Sequence, residues 1–296
     1  MNGWRTTVGE WGKIGIIGGS GFYDIDGFEK VNEVRQDTPW GEPSDKYSIY
    51  KYSGKEIVFL ARHGEGHKLL PSEINYRANI YGMKMLGVDR IISVSAVGSY
   101  KEEIAPRSIV IIDQFFDRTR RNDGTTFFGN GIAAHVSFAE PVCPVLSEVL
   151  YDSIVKTNVR VHKGGTYLNM EGPAFSTKAE SLFFKKQGMD VIGMTNISEA
   201  RLAREAEICY STIALVTDYD AWREGLEAVS VKEVISNLVE TAKFAKEGIK
   251  AAMSEIPSVR DCECKTALSN ALITDKKVID PETREKLSLL IDDYLN

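Results

Sequence analysis

The stretch Ile213-Ala-Leu-Val-Thr-Asp-Tyr-Asp-Ala-Trp222 (IALVTDYDAW) joins an apolar run to a pair of acids. Its first four residues are typical of a strand that is buried on both faces of a sheet. Asp218 and Asp220 follow at the end of that strand, where open α/β sheets bind their ligands. In an extended chain residues i and i+2 point to the same side, so both acids are expected to face one pocket. A solvated turn is the alternative, because Asp is common in turns.

Outward from this stretch, strand patterns and helix patterns alternate along the chain. Strands are predicted at residues 13–18, 90–97, 108–113, around 159–170 and at 213–216, with a hairpin over residues 47–60. Helices are predicted at residues 72–86, 145–156, 177–187, 198–206 and 230–252, with a last helix after Pro281. Because no break in composition interrupts the alternation, we predict one α/β domain with a parallel or mixed sheet over residues 13–296. Residues 1–12 are predicted to be a flexible tail.

The composition excludes several classes of protein. The chain has 296 residues, 43% of them hydrophobic and 26% charged, which is enough for a sizeable core. A formal net charge of -6 disfavours nucleic-acid and membrane partners. No apolar run reaches the roughly 18 residues of a membrane span, and the first residues lack the apolar segment of a secretory signal. Four cysteines do not make a disulfide framework. These features predict a cytoplasmic protein.

Three strand ends carry groups suited to a phosphate ion. The glycine-rich turn after the first strand offers backbone N–H groups and the Ser20 hydroxyl to an oxyanion. Arg62 and His63 follow a second strand, and a guanidinium holds a dianion through paired N–H bonds. Ser95 adds a hydroxyl at a third strand end. The sequence therefore predicts a phosphate-sized anion site, and a tight strand–loop turn is the alternative explanation of the glycines.

Three other patterns are weaker. The glycine-rich turn is not a dinucleotide fingerprint, because Asp24 stands where the third glycine belongs. His63 and His67 are four residues apart, but the glycines between them disfavour the helix of an H-E-x-x-H zinc site. Cys262 and Cys264 are too close together for a zinc knuckle. They predict either a strained disulfide or two exposed, unpaired thiols.

Several segments together carry a resemblance to a known family. They are GIIGGSG (15–21), LARHGEGH (60–67), SAVGS (95–99), IIDQFFDRT (111–119), EGPAFST (171–177), MTNISEARLAREAEICY (194–210) and TDYDAW (217–222). On these motifs, the chain resembles the 5'-methylthioadenosine phosphorylases of the trimeric purine nucleoside phosphorylase family over about residues 14–251. The resemblance implies an α/β domain with a mixed, partly barrel-like central β-sheet flanked by helices. It also implies a homotrimer, or a hexamer formed by a dimer of trimers.

The activity implied by the resemblance is phosphorolysis of 5'-methylthioadenosine to adenine and 5-methylthioribose 1-phosphate. Other purine nucleosides are the alternative substrates. The nucleoside and phosphate would be the small-molecule partners, and no cofactor or metal would be needed, because phosphate is a co-substrate.

The resemblance also implies roles for individual residues. The phosphate site would comprise Ser20, Arg62, His63, Ser95, the N–H of Ala96, and Thr195. The nucleoside site would comprise Phe175, Ser176, Met194, Asp218, Asp220, Val231, Val234 and His135, the last from a neighbouring subunit. Ala174 and Lys178 replace arginines of many family members, which is a departure at one edge of the site. The Cys262–Cys264 pair is similar to a C-x-C pair that forms a disulfide in archaeal and bacterial relatives.

The residues and the resemblance agree on a mechanism. Phosphorolysis builds charge on the departing purine and places a dianion under C1', so it needs an acid and a preorganised anion site. Asp218 and Asp220 are the catalytic candidates, with Asp218 as the proton donor to N7. Two carboxylates favour a 6-amino purine over a 6-oxo purine, because an amine donates to a carboxylate. A dinucleotide-dependent dehydrogenase and a non-catalytic nucleoside sensor are the alternatives from other classes.

Overall fold

In a computed structural model of the chain, strands and helices alternate as the sequence predicts. The structure describes residues 12–19, 22, 25–120, 124–223 and 231–295, so the predicted tail lies almost wholly outside it. The strands are β1 (Lys13–Gly18), β2 (Glu29–Val34), β3 (Tyr47–Tyr52), β4 (Lys55–Ala61), β5 (Val88–Ser99), β6 (Ile109–Ile111), β7 (Gln114–Asp117), β8 (Val161–Lys163), β9 (Thr166–Asn169), β10 (Val191–Gly193) and β11 (Cys209–Tyr219). The helices are α1 (Tyr76–Met85), α2 (Pro144–Ile154), α3 (Lys178–Lys186), α4 (Asn196–Glu205), α5 (Val231–Glu255) and α6 (Pro281–Leu295).

The sheet forks at β5, its longest strand. β5 pairs in parallel with β1 and with β11, and its last two residues pair antiparallel with β10. One arm runs from β1 through β4 and β3 to β2, a second from β10 through β9 to β7, and a third from β11 through β6 to β8. Among the described residues β7 and β8 end their arms, so the sheet is not closed. The predicted single α/β domain with a mixed sheet is confirmed.

Helices cover both faces of the central strands. α1 and α4 pack on one face, and α2 and α5 pack on the other. Side chains alternate between these layers with the period of two that a strand imposes: Ile17 joins the first layer, whereas Ile14 and Ile16 join the second. Burial on both sides explains why the central strands read as nearly continuous apolar runs.

Some element boundaries differ from those predicted. The strand predicted around residues 159–170 is two short strands, because Gly164 adopts φ +79° and turns the chain between them. The first helix begins at Tyr76 rather than Ser72, since the Asn75 side chain caps it by accepting the Ala78 N–H. β2 was not predicted, and its exposed, charged sequence explains why.

The helix starts give a mixed result. The capping box predicted at Thr177 is confirmed. The Thr177 side chain accepts from the Glu180 N–H, and the Glu180 side chain accepts from the Thr177 N–H. The second predicted box begins at Ser230, which lies outside the described residues. None of the helices in the described parts of the chain is both long and apolar enough to cross a bilayer.

Candidate active site

A cavity of about 580 Å³ lies at the carboxyl ends of β1, β4, β5 and β11. These strands are parallel to one another, so their carboxyl ends share one edge of the sheet. The residues of the predicted site that line this cavity are Arg62, His63, Ser95, Ala96, Phe175, Met194, Thr195, Asp218, Asp220 and Val234. The fold thus brings most of the predicted site together, and the solvated-turn alternative for the acid pair is wrong, because Asp220 is buried.

A bulge in β11 aims the acid pair. Val216 and Asp218 are paired with adjacent residues of β5, so Thr217 is an extra residue in the ladder. As a result Thr217 and Asp218, which are neighbours in sequence, both line the cavity. The Asn237 side chain of α5 donates to the Thr217 carbonyl (2.7 Å) and holds the bulge from outside the sheet.

Burial raises the pKa of both acids. The pKa of Asp218 rises to about 6, mainly because the carboxyl is buried, with a smaller contribution from the Asp220 charge and an opposing one from the Thr217 hydroxyl. Burial also raises the pKa of Asp220, and the nearby hydroxyls of Ser181 and Ser176 partly offset this. Oδ2 of Asp220 is buried and has no hydrogen-bond partner among the described residues. The pair therefore combines a carboxyl that holds a proton in mild acid with an acceptor that is left for a ligand.

Arg62 is buried against a carboxylate at the other end of the cavity. Its Nε and Nη2 donate to Glu199, its Nη2 also to Ser93 Oγ (2.6 Å), and its Nη1 to the Val94 carbonyl (2.9 Å). The Glu199 carboxylate outweighs burial, so the pKa of Arg62 is raised. Four of the five guanidinium N–H groups thus have partners among the described residues. The fifth is on Nη1, which would lie 3.9 Å from a Cβ placed on Gly19, at the cavity wall.

Glu199 is the centre of a buried polar network that sequence reasoning missed. It also accepts from the hydroxyls of Ser93 (2.8 Å) and Tyr210 (2.8 Å). The Asn196 side-chain amide lies within 3.2 Å of the Ser93, Tyr210 and Thr212 hydroxyls. The signal was available, because Ser93 and Thr212 interrupt apolar strands, and a buried polar group needs a partner.

His63 is a neutral ring beside Arg62. Its Nδ1 lies 2.8 Å from the Leu69 carbonyl. A carbonyl can only accept, so Nδ1 carries the hydrogen and Nε2 of the neutral ring is an acceptor. Burial and then the Arg62 charge lower the pKa of His63 to about 4. His67 stacks on it with 4.2 Å between ring centroids.

The amino end of α4 completes this part of the cavity. Thr195 is the N-cap residue of α4 and is buried, and the unpaired N–H groups of a helix start attract anions. Met194 precedes it and packs against Gly172 of the facing loop. A Cβ on Gly172 would stand 2.5 Å from Met194 Sδ, and its φ of +70° also favours glycine.

The rest of the predicted residues lie at the edge of the cavity or outside it. Phe175 lines the cavity with 53% of its surface exposed, whereas Ser176 lies outside the lining with its hydroxyl near Asp220. His135 is exposed and outside the lining of its own chain's cavity, and its N–H donates to the Ala271 carbonyl (2.8 Å). Ser20 and the Val231 side chain lie outside the described part of the structure.

Comparison with known proteins identifies the family. The phosphorylase superfamily profile matches residues 13–252. The chain belongs to the phosphorylase superfamily. The family resemblance seen in the sequence motifs is thereby confirmed.

Relatives within the superfamily match the chain over nearly its whole length. It is 55% identical over 282 residues to S-methyl-5'-thioadenosine phosphorylase of Geobacter sulfurreducens, covering 95% of this chain and 99% of the relative. It is 53% identical to the enzyme of the same name from Koribacter versatilis, covering 95% and 96%. Among solved structures, a methylthioadenosine phosphorylase sourced from an antarctic soil metagenomic library matches with a TM-score of 0.89 and 44% identity, covering 95% and 99%. That from Schistosoma mansoni in complex with adenine matches with a TM-score of 0.81 and 32% identity, covering 95% and 98%.

Proposed function

We propose that this phosphorylase-superfamily chain cleaves 5'-methylthioadenosine with phosphate, giving adenine and 5-methylthioribose 1-phosphate. The observation that carries the proposal is a single cavity with two different ends. An acid pair with raised pKa values, Asp220 buried and Asp218 partly buried, stands at one end, and Arg62 with the amino end of α4 stands at the other. Relatives with 55% and 53% identity over nearly the full length carry the name of this activity, which supports the proposal.

Phosphate binds at the Arg62 end. The fifth guanidinium N–H of Arg62 and the hydroxyls of Ser20, Ser95 and Thr195 are its donors, together with the N–H of Ala96. Because His63 is neutral, its Nε2 accepts the hydrogen of a protonated phosphate oxygen rather than adding charge. Glu199 is a positioning residue: its carboxylate fixes the guanidinium plane before phosphate arrives.

The purine binds at the acid end. Protonated Asp218 donates to N7 as the C1'–N9 bond breaks, so the departing adenine leaves without a full negative charge. Oδ2 of Asp220, which has no partner among the described residues, accepts the 6-amino hydrogen. Phe175 covers the base at the rim, and Ser176 supports Asp220 from behind.

The sugar lies between the two ends, against Met194. We assign Val231 and Val234, in the first turn of α5, to the 5'-methylthio group, and Val234 begins an apolar wall of the cavity. Ile235 and Leu238 continue that wall along the cavity. An apolar wall favours a methylthio group over a 5'-hydroxyl, which it would leave without a hydrogen bond.

The chemistry itself requires neither an organic cofactor nor a metal at this cavity, because phosphate is the nucleophile and Asp218 is the acid. The active assembly is a homotrimer, or a hexamer made of two such trimers, in which His135 reaches a neighbouring subunit's nucleoside. The setting is cytoplasmic.

The test is adenine release from 5'-methylthioadenosine with and without inorganic phosphate. Release should require phosphate and should yield the sugar 1-phosphate. Equal release in phosphate-free buffer would identify a hydrolase, and no release with either buffer would identify a nucleoside-binding protein. Faster cleavage of inosine than of 5'-methylthioadenosine would overturn the assignment of Asp220 to a 6-amino group.

A further inference from the structure

All four cysteines of the chain meet in one cluster away from the cavity. They are Cys143, Cys209, Cys262 and Cys264. Their sulfur atoms all lie within 4.8 Å of one another, and the Cys209 and Cys262 sulfurs are 3.4 Å apart. None forms a disulfide. Cys264 is buried, so the expectation of two exposed thiols at residues 262 and 264 is wrong.

Three separate parts of the chain supply these thiols. Cys143 is the N-cap residue of α2, and Cys209 is the first residue of β11. The Cys143 N–H donates to the Tyr210 carbonyl (2.8 Å), which ties the two elements together. Cys262 and Cys264 lie at the start of a 3-10 turn over Glu263–Thr266. The spacing of the C-x-C pair in the sequence shows only two of the four ligands. Cys143 and Cys209 are distant in sequence and come close to this pair only in the folded chain.

The distances suit a tetrahedral ion. Four thiolates around Zn²⁺ at about 2.3 Å stand about 3.8 Å from one another, and the sulfur–sulfur distances here, none above 4.8 Å and one of 3.4 Å, bracket that value. A gap of about 20 Å³ borders Cys143, Cys209 and Cys262, though not Cys264, and a water-sized sphere needs only about 10–15 Å³. We propose that these four cysteines bind one Zn²⁺ in a structural, fully thiolate site.

The surroundings match the charge of such a site. Each of four thiols loses one proton to solvent on binding, so Zn²⁺ and four thiolates carry a net charge of -2. Arg90 and Arg260 border the same gap, and their positive charges offset the negative charge of the zinc–thiolate site. Asp89 pairs with both arginines and offsets part of their charge. Arg90 is buried and is held by the Pro257 carbonyl (2.8 Å), so it stays beside the cluster.

The ion would fasten the segment after α5 to the body of the domain. That segment continues to residues 271–274, which pair with the loop that carries His135: Ala134 bridges Leu272, and the His135 N–H donates to the Ala271 carbonyl. Zinc therefore stabilises the segment that holds the His135 loop in place, and it does not act on the catalytic residues in the cavity.

Metal and thiol content of the full chain, purified without added metal or reductant, test the proposal. We expect about one Zn²⁺ per chain, and four thiols that react only after a chelator and a denaturant are added. No reactive thiols in the denatured protein would mean two disulfides and would overturn the proposal. Four reactive thiols without zinc, in a protein that takes up no added Zn²⁺, would overturn it too.

Cobalt substitution identifies the ligands. Co²⁺ in place of zinc should give the sulfur-to-metal charge-transfer absorption and the strong visible bands of tetrahedral thiolate coordination. Octahedral Co²⁺ bands alone would overturn the proposal. This measurement uses the wild-type chain and does not depend on a variant that folds.

A matched pair of variants locates the ion. Cys262→Ser changes a half-buried ligand and should weaken zinc affinity by at least about 10-fold, with a lower Tm in the presence of reductant. Glu263→Gln changes an exposed neighbour between the two cysteines and should leave zinc content unchanged. Equal zinc affinity in both variants would place the ion elsewhere. Phosphate-dependent cleavage is a separate readout, so failure here leaves the proposed activity standing.

Discussion

Asp218 and Asp220 are separated by one residue but have different hydrogen bonds. Asp218 accepts from the Thr217 hydroxyl (2.7 Å), and its pKa is about 6. Asp220 keeps one buried oxygen without a partner among the described residues. A protonated acid suits a developing negative charge, whereas an open acceptor suits an amine. The two residues should therefore fail in different ways when changed.

The pH profile tests Asp218. Its acid form is the productive one, and it is lost as pH rises through about 6, so kcat/KM for 5'-methylthioadenosine should fall above that pH. Asp218→Asn should lower kcat/KM by about 10²-fold or more at pH 6 and should remove this falling limb. Ionisation of phosphate affects the wild type and the variant equally, so the difference between their pH profiles reports the ionisation of Asp218. An unchanged limb in the variant would assign the proton to another group.

Substrate preference tests Asp220. Asp220→Asn offers an N–H where the wild type offers only an acceptor, so kcat/KM should shift from methylthioadenosine towards methylthioinosine. The shift is limited because Asp218 still opposes a 6-oxo group. Tyr219→Phe is the matched control, since Tyr219 lies outside the cavity lining and its hydroxyl donates to the Glu102 carbonyl. If Tyr219→Phe changes the ratio as much as Asp220→Asn does, the assignment of Asp220 is wrong.

For individual residues, the sequence predicted Asp218 and Asp220 but not the buried acid Glu199. Carboxylates directly after an apolar strand are visible in the sequence. Glu199 is in the first turn of a helix, where an acid normally faces water and favours the helix dipole. Only the fold shows that this helix buries its first turn against Arg62.

Among the elements, α5 and β11 set the position of the acids. The bulge at Thr217 frees a carbonyl from the regular ladder, and Asn237 binds it. The same Asn237 side chain accepts from Arg107 Nε (2.8 Å), so one amide links a helix, a bulge and a loop. The helix that supplies the apolar wall thus also fixes the acid end of the cavity.

Asn237→Ala should loosen this link. It leaves the Thr217 carbonyl and the Arg107 Nε without their partner, at a cost of about 1–3 kcal/mol. Tm should fall by several degrees, and kcat should fall with it because Asp218 is no longer held. Ser236→Ala is the control, being exposed on the same turn of the helix. Equal melting of Asn237→Ala and wild type would show that the bulge is rigid by itself.

Periodicity predicted the elements well where they are long and buried. β1, β5 and β11 were found because their runs are apolar on both faces. β8 and β9 were merged, since two adjacent glycines do not reveal that the chain turns between two strands. The bulge in β11 was also invisible, because it depends on register with β5 rather than on local sequence.

On the scale of the whole molecule, the fork at β5 gathers distant residues. Arg62 follows β4, Ser95 lies in β5 and Asp218 lies in β11, and parallel pairing places them at one edge. Alternating strands and helices predicted the fold class, because buried parallel strands need helical crossovers. The branching of the sheet could not be predicted from the periodicity of the sequence, because long-range packing determines which strands pair.

Mixed oligomers test the proposed role of His135. His135→Ala should raise KM for the nucleoside about 2–10-fold, the worth of one hydrogen bond, without changing KM for phosphate. Mixing His135→Ala chains with Asp218→Asn chains should restore a low KM at some sites. Those sites combine an intact Asp218 with His135 from its neighbour. Mixed oligomers without recovery would show that His135 does not act between subunits.

The pairing of Arg62 with Glu199 has a consequence for how phosphate arrives. The guanidinium charge is already matched at close range, His63 is neutral, and the described residues that line the cavity include two acids. Such a site produces little positive electrostatic potential in the surrounding solvent, so it does not attract anions over long distances. Encounter should proceed by ordinary diffusion, and kcat/KM for phosphate should change little with ionic strength. A steep decline on adding potassium chloride would reveal a long-range field. Discrimination among anions then depends on the fit of donors within contact distance.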